Sequence, residues 1–600
     1  MIRYGRLSLF FFKKALPFIR NDVILHRIYN RMVYRIADNI TSPLGMTSAQ
    51  NYQAVKAGHS ALACYSDWWD IPTPFTAALL SSSQNQALYL AGMTRFESLV
   101  IHSVTQALEH TDIDIASPRV VFILSTTKAN VELLGAPKAT PELLHPGESA
   151  HRIARHLGMT TEPIVVCNAC VSGLCALILA ERLLTEKFYD YAIVCGADVL
   201  SRFVISGFQS FNSMDANPCR PYDIERLGMN LGEAAATMIL SGETTGHQDG
   251  WALLQGTIRN DAHHISTPSN KGEGAYRAMA PLLQQVNKAE LALVNAHGTA
   301  TMFMDQMEAV ALHRAGLSDM PVNSYKGYFG HTLGAAGVLE TILTIHALDD
   351  HTILGTRGFQ ELGVSVPIQV SAEAKSTDKR SFLKLISGFG GTNAALLVTA
   401  DTQVQQRQVA LPQTHQSHRV ILTPDGLTID GKAIPTTATG KALLTELYRT
   451  HVGDYPKFYK MDGLSKLGFL ASELLMACEN EEQPTPDEQR AVILFNHSSS
   501  IDTDRHYLAS IQPDSYFPSP SLFVYTLPNI VTGEIAIRHH LHGETSFYSL
   551  AARNEQLMPL IQQAALSDEA TQSLLTGWID YEDDAHFLAD MYILKTHPTA

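Results

Sequence analysis

Short apolar runs alternate with stretches of three-to-four spacing along most of this chain. Met32-Val-Tyr-Arg-Ile-Ala predicts a first strand, and residues 47–58 carry helical spacing. Residues 89–110 predict a longer amphipathic helix, and the β-branched run at 120–124 a buried strand. A helix over 149–157, a short strand at 164–167, a mostly apolar helix over 172–186 and a strand at 191–195 are expected next. The alternation resumes with a strand at 291–295, helices over 304–315 and 334–348, and a strand at 383–387. Strands alternating with helices predict a mostly parallel α/β sheet with helices on both faces.

Near residue 402 the chain turns polar, and 403–435 reads as a linker. It contains two Asp-Gly pairs, Asp425-Gly426 and Asp430-Gly431, between apolar residues, which are hairpin signals. The tail, 436–600, then repeats the beginning. Met93-Thr-Arg-Phe96 is echoed by Met461-Asp-Gly-Leu464, and Val120-Val-Phe-Ile-Leu-Ser by Val492-Ile-Leu-Phe-Asn-His. Ile153-Ala154-Arg-His156-Leu157-Gly158 is echoed by Ile535-Ala536 through Leu541 and Gly543. Order and spacing agree, so the tail reads as a partial second copy of the first half.

Composition narrows the function classes. The 600 residues suggest about four units of roughly 150 residues each. With 45% hydrophobic and 17% charged residues, the chain is neither disordered nor collagen-like. Its 44 basic and 59 acidic residues give a net charge of −15, which argues against a nucleic-acid binder. Seven cysteines cannot form a disulfide framework in a chain this long and point to reduced thiols and a cytoplasmic setting. No apolar run reaches the roughly 18–20 residues of a membrane helix. Residues 1–31 carry seven Arg/Lys and one acid. They read as a basic extension: a poorly ordered one, an upstream start with Met32 as the natural beginning, or an amphipathic arm capable of peripheral membrane contact.

Chemistry concentrates in four segments. In Cys167-Asn168-Ala-Cys170-Val-Ser-Gly173, a strand runs through a tight turn into an Ala/Leu-rich helix. Cys170 at such a helix N-terminus is expected to have a lowered pKa and to be a nucleophile candidate. The competing readings are a Cys167/Cys170 metal or redox pair and plain core packing. His297 follows a strand in Ala296-His297-Gly-Thr299-Ala-Thr301, and His331 sits between glycines in Lys326-Gly-Tyr-Phe-Gly330-His331. Gly388-Phe389-Gly-Gly-Thr-Asn393 looks superficially like a nucleotide loop. Its spacing is not that of a dinucleotide fingerprint, and no acidic residue follows about twenty positions on.

Taken in order, these four segments resemble the β-ketoacyl-acyl-carrier-protein synthases, elongating condensing enzymes of the thiolase superfamily. Cys219-Arg220-Pro221-Tyr222-Asp223 and Gly232-Glu233-Ala234 also match family segments. The resemblance covers about residues 32–402. It implies a thiolase-like α/β fold of duplicated βαβαβ layers stacked α-β-α-β-α, with the C-terminal tail as a partial thiolase-like half. It implies Cys170, His297 and His331 as catalytic residues and Cys170 and Phe389 as oxyanion and gating positions. Thr299 and Thr301 would hold a pantetheine arm, Lys326 would pair with Glu340, and Glu233 and Glu308 would be structural.

The implied reaction is the decarboxylative Claisen condensation of an acyl-cysteine with a malonyl thioester carried by an acyl carrier protein, with no metal and no cofactor of the enzyme's own. The tail has no cysteine at the position matching Cys170, near Ser549–Arg553. It resembles the truncated synthase-like or chain-length-factor-like partners of aryl-polyene and flexirubin-type pathways. A homodimer or an intramolecular pseudo-heterodimer would follow. The alternatives are acyl transfer through the same cysteine without elongation, and a non-catalytic scaffold.

Overall fold

The computed structural model describes residues 32–137, 139–243, 250–401, 411–479, 488–512 and 516–596. The basic extension 1–31 lies outside the described residues.

Three five-stranded units share one topology. The first comprises β1 (Val33–Thr41), β2 (Val120–Ser125), β3 (Ile164–Val166), β4 (Tyr191–Asp198) and β5 (Ala234–Ser241). Its order is β3-β2-β4-β5-β1, with β2 parallel to both β3 and β4 and the remaining pairs antiparallel. The second unit comprises β6 (Ala252–Asn260), β7 (Leu293–Asn295), β8 (Pro321–Asn323), β9 (Ser381–Ser387) and β10 (Thr392–Thr399), in the order β8-β7-β9-β10-β6. The third comprises β11 (Thr414–Thr423), β12 (Arg490–Asn496), β13 (Thr545–Ser549), β14 (Ser573–Asp583) and β15 (His586–Thr596), in the order β13-β12-β14-β15-β11.

β1 pairs with β6, and β3 pairs with β13 through Val166 and Tyr548, so all three units share a continuous sheet. The antiparallel Val166–Tyr548 pair marks a pseudo-twofold between the first and third units. It makes Val166 equivalent to Tyr548 and therefore Cys170 equivalent to Ala552. Ala129 and Ser499, which follow β2 and β12, both sit at positive φ, as the same equivalence requires.

The tail is thus a third copy of the repeating unit, as the sequence echoes predict. One boundary differs. Thr414–Thr423, inside the expected linker 403–435, is a strand of the third unit, and the expected hairpin follows it at Gly426–Ile429 and Lys432–Ile434. Its Thr-His-Gln-Ser-His face is partly exposed, and this gave it the composition of a linker.

Helices α1 (Arg95–Leu108), α2 (Ser172–Thr185), α3 (Ala336–Asp349), α4 (Gly463–Cys478), α5 (Ile530–His539) and α6 (Leu557–Leu566) complete the layers. α2 and α3 are apolar nearly all round because both lie buried between the first two sheets. Their backbones touch: a Cβ on Gly337 would lie 2.2 Å from the Leu174 nitrogen. α1 is amphipathic and covers the outer face of the first unit, while α4 and α5 cover that of the third. α6 packs on α2 across the pseudo-twofold.

Among the described residues, four buried ion pairs cross this junction, one of them a longer contact of Arg182 with Asp568 at 3.7 Å. Lys128 meets Asp504, Arg182 meets Glu544, and Arg259 meets Asp568, each at 2.6 Å. In every case the cation belongs to residues 32–401 and the anion to the tail.

Candidate active site

β3 ends at Val166, and the chain turns through Asn168 and Ala169 into α2. Ala169 lies at φ +49°, a left-handed backbone that costs an L-residue about 1–2 kcal/mol. Such a corner persists only when its surroundings hold it, and here the tail does so. Asn168 Oδ1 accepts the Phe547 N–H at 2.7 Å, and the Cys167 N–H donates to the Phe547 carbonyl at 2.9 Å. Cys170 follows, at the N-terminal end of α2 and 8% exposed.

The structure corrects the expected ionisation of this thiol. Burial pushes Cys170 up to about 12, with Lys326 pulling weakly the other way. A helix terminus contributes only about 0.3–2 kcal/mol, less than the cost of stripping water from a thiolate. Cys167 packs in a different apolar cluster from Cys170. Among the described residues, no group of three or more His, Cys, Asp or Glu side chains could hold a metal ion.

His297 follows β7. Its N–H donates to Glu308 Oε1 at 2.7 Å, while Glu308 Oε2 accepts from the Gly298 N–H at 2.8 Å and the Tyr222 hydroxyl at 2.6 Å. Glu308 therefore fixes the loop that presents the ring. Asp305 does the same one turn earlier, accepting the N–H groups of Thr299, Ala300 and Tyr222 at 2.7–3.1 Å. Thr299 and Thr301 are joined through their hydroxyls at 2.9 Å. The His331 N–H donates to the Asn230 carbonyl at 2.7 Å. The two imidazoles stand edge to face with centroids 5.2 Å apart.

Burial, reinforced by Lys326, drives both imidazoles well below their ordinary pKa, so both are neutral at pH 7. Among the described residues, both ring nitrogens of His331 and Nδ1 of His297 are buried without a hydrogen-bond partner. A buried polar atom with no partner calls for an explanation, and an absent substrate oxygen supplies one.

Lys326 pairs with Glu340 at 2.7 Å, as expected, and a second lysine shares that carboxylate: Lys384 reaches Glu340 Oε2 at 2.5 Å. Burial alone would raise Glu340, but the two lysines hold it below its usual value. Burial takes Lys384 down to about 8. Glu233 is structural, binding the Leu80 and Leu200 N–H groups and Arg95.

Cys170, His297, His331, Thr299 and Phe389 line a single cavity of about 60 Å³, with Phe208 and Met229 on its apolar side. A thiol, two neutral imidazoles and a gate-like aromatic on a Gly-rich loop surround one small volume. This arrangement can form a thioester on sulfur and donate N–H groups to a developing oxyanion.

The family described as the β-ketoacyl synthase N-terminal domain matches residues 53–245, and the β-ketoacyl synthase C-terminal domain matches residues 252–360. The chain belongs to the β-ketoacyl synthase family. Over 251 residues it is 33% identical to 3-oxoacyl-[acyl-carrier-protein] synthase 2 of Rhizobium meliloti, a match spanning 39% of the chain and 59% of that protein. The corresponding Vibrio cholerae enzyme is 25% identical over 59% of the chain and 96% of its own length. Among solved structures, the ketosynthase ApeO in complex with its chain length factor ApeC, from Xenorhabdus doucetiae, is 25% identical. It covers 62% of the chain and 98% of its own, with a TM-score of 0.54. The PfaC keto synthase–chain length factor, at 14% identity, shares the fold over 94% of the chain and 78% of its own, with a TM-score of 0.74.

The apolar packing behind the cavity continues into the tail, although the residues lining the cavity itself all belong to the first two units. Cys170 belongs to an apolar cluster completed by Tyr507, Ile511 and Phe523 of the tail. The Phe523 ring seats on Gly207, where a Cβ would come within 2.1 Å of it, and stands 5.4 Å from the Phe208 ring. Phe389 stacks on Phe208 at 6.3 Å. At the far side of the cluster, Lys128 packs over the Phe203 ring and binds Asp504.

Proposed function

We propose that this chain is an elongating 3-oxoacyl-acyl-carrier-protein synthase, an acyltransferase of the decarboxylative Claisen type. The observation that carries the reading is the shared cavity of Cys170, His297 and His331, with unpartnered imidazole nitrogens facing no protein acceptor. Cys170 sulfur attacks the carbonyl of an acyl thioester, the carrier's C–S bond breaks, and the thiol proton leaves with the departing pantetheine sulfur. A thiol held protonated by burial gives up its proton as it attacks, rather than waiting as a thiolate. The oxyanion of this step lies between the N–H groups of Cys170 and Phe389.

A malonyl-carrier thioester then places its carbonyl oxygen against His297 and His331. The bond to its carboxylate carbon breaks, CO2 leaves, and the enolate forms against two N–H donors. Neutral imidazoles suit this role, because a full positive charge would hold the malonyl carboxylate as a salt and oppose its loss. The enolate carbon attacks the acyl-cysteine carbonyl, forming the new C–C bond; the C–S bond to Cys170 then breaks, and the released thiolate takes a proton from water. Thr299 and Thr301 hold the pantetheine arm, and Phe389 gates the entrance.

The tail acts as a chain-length-factor-like half within a pseudo-heterodimer, walling the acyl tunnel with Tyr507 and Phe523. The likeness to ketosynthase–chain-length-factor pairs supports a polyene- or polyketide-like product, made with an acyl carrier protein as partner. Decarboxylation of radiolabelled malonyl-carrier thioester tests the reading. The expected result is release of labelled CO2 by the wild type and its loss in His331→Ala. Acyl transfer without decarboxylation would favour an acyltransferase, and inertness in both assays would leave a scaffold.

A further inference from the structure

Asn529 stands at the N-cap of α5, a position where asparagine ordinarily binds its own helix. Here the side chain makes no capping bond. It turns out of the tail and donates Nδ2 to the carbonyl of Phe389 at 2.8 Å. The residue is fully buried, and its Oδ1 finds no donor among the described residues. A buried acceptor left unsatisfied lowers stability, so this asparagine is not explained as a helix stabiliser.

The contact is also tightly packed. A Cβ on Gly390 would lie 2.6 Å from Asn529 Nδ2, and one on Gly533, a turn into α5, would lie 2.6 Å from the Gly390 carbonyl oxygen. On its other side the loop is held by Asn260, whose Nδ2 binds both the Gly390 carbonyl and Thr545 Oγ1. Thr392 meets the same Thr545 hydroxyl at 2.8 Å. The loop that carries Phe389 is therefore clasped by tail residues at both ends.

We propose that Asn529 is a positioning residue for the Phe389 gate, through which the tail sets where the gate rests over Cys170. The proposal builds on the ketosynthase reading. With the Phe389 carbonyl held, the Phe389–Gly390 peptide plane is fixed, which restrains the backbone rotations that would carry the Phe389 ring and N–H away from Cys170. With the carbonyl released, the ring swings more freely. Access to Cys170 rises while acyl transfer loses a donor.

The two effects have opposite signs, and the test uses both. Asn529→Ala and the volume-keeping Asn529→Leu are made in the full chain and treated with iodoacetamide, and each cysteine is followed by mass spectrometry. The expected result is alkylation of Cys170 faster by about three- to tenfold, with the buried Cys167, Cys175 and Cys195 unchanged. In the same variants, transfer of an acyl group from a carrier thioester to Cys170 falls in kcat by a similar factor at unchanged KM. Acceleration at all four thiols marks a structural role and overturns the proposal. So does an unchanged rate at Cys170, or selective alkylation with undisturbed acyl transfer. Failure of the wild type to form any acyl-enzyme sinks the ketosynthase reading instead, and the alkylation comparison still decides the gate contact.

Discussion

Removing the anion at the tail junction should loosen the tail in a measurable way. Lys128 Nζ lies 2.6 Å from both oxygens of Asp504, 2.7 Å from the Thr526 carbonyl and 3.0 Å from Ser500 Oγ. Both charged side chains are 7% exposed. Asp504→Asn keeps the shape and leaves the ammonium buried among neutral oxygens. Breaking one side of a buried pair costs about 3–5 kcal/mol. Because the amide oxygen and two neutral acceptors remain, the low end applies, about 3 kcal/mol. A unit of the tail's size shifts about 2–4 °C per kcal/mol, so its melting should fall by about 6–12 °C in calorimetry. The double variant Lys128→Met/Asp504→Leu should recover most of the loss, since apolar groups of similar volume replace a buried pair at little cost. Melting of Asp504→Asn within about 1 °C of wild type would refute the reasoning. A double variant no better than the single would do the same.

Three other outcomes are expected. Because burial disfavours the charged thiolate, the rate of Cys170 alkylation should rise about tenfold per pH unit from pH 7 to pH 10, with no plateau near the free-thiol value of about 8.5. A plateau at or below pH 8 would restore the helix-terminus expectation. Glu308→Gln removes a charge-assisted anchor from His297, Gly298 and Tyr222. Malonyl decarboxylation should fall by about ten- to a hundredfold, with the Cys170 acylation rate much less affected. Phe523→Ala empties the space against Gly207 and Phe208 and should destabilise the protein by about 3–5 kcal/mol in thermal melts. It should also lengthen the products seen by mass spectrometry, and unchanged product lengths would count against the tail as a tunnel wall.

The site was readable wherever its chemistry sits in a local motif. Cys170 at a strand-to-helix corner, His297 and His331 beside glycines, and the Lys326–Glu340 pair are all where the sequence pointed. Lys384 escaped because its partner is 44 residues away, although a lysine inside the apolar run Phe382-Leu-Lys384-Leu-Ile was a usable signal. Asn529, Tyr507 and Phe523 escaped for a different reason. Their role comes from docking across the pseudo-twofold, and nothing periodic in the tail encodes which side chains will face another unit. The charge state of Cys170 was misread because a helix terminus is visible in sequence while the dryness around a sulfur is not. The strand Thr414–Thr423 was hidden by its own half-wet face.

Ala552 occupies the place across the pseudo-twofold where a symmetric partner would carry a second nucleophile. Acylation by a carrier thioester should therefore saturate at one equivalent per polypeptide, with no second port across the pseudo-twofold at which carriers could compete or cooperate. Since the two mismatched halves share one reading frame, Lys128 and Asp504 are translated in fixed ratio and inherited together. A cell making several related synthases cannot exchange this one's silent half for another's.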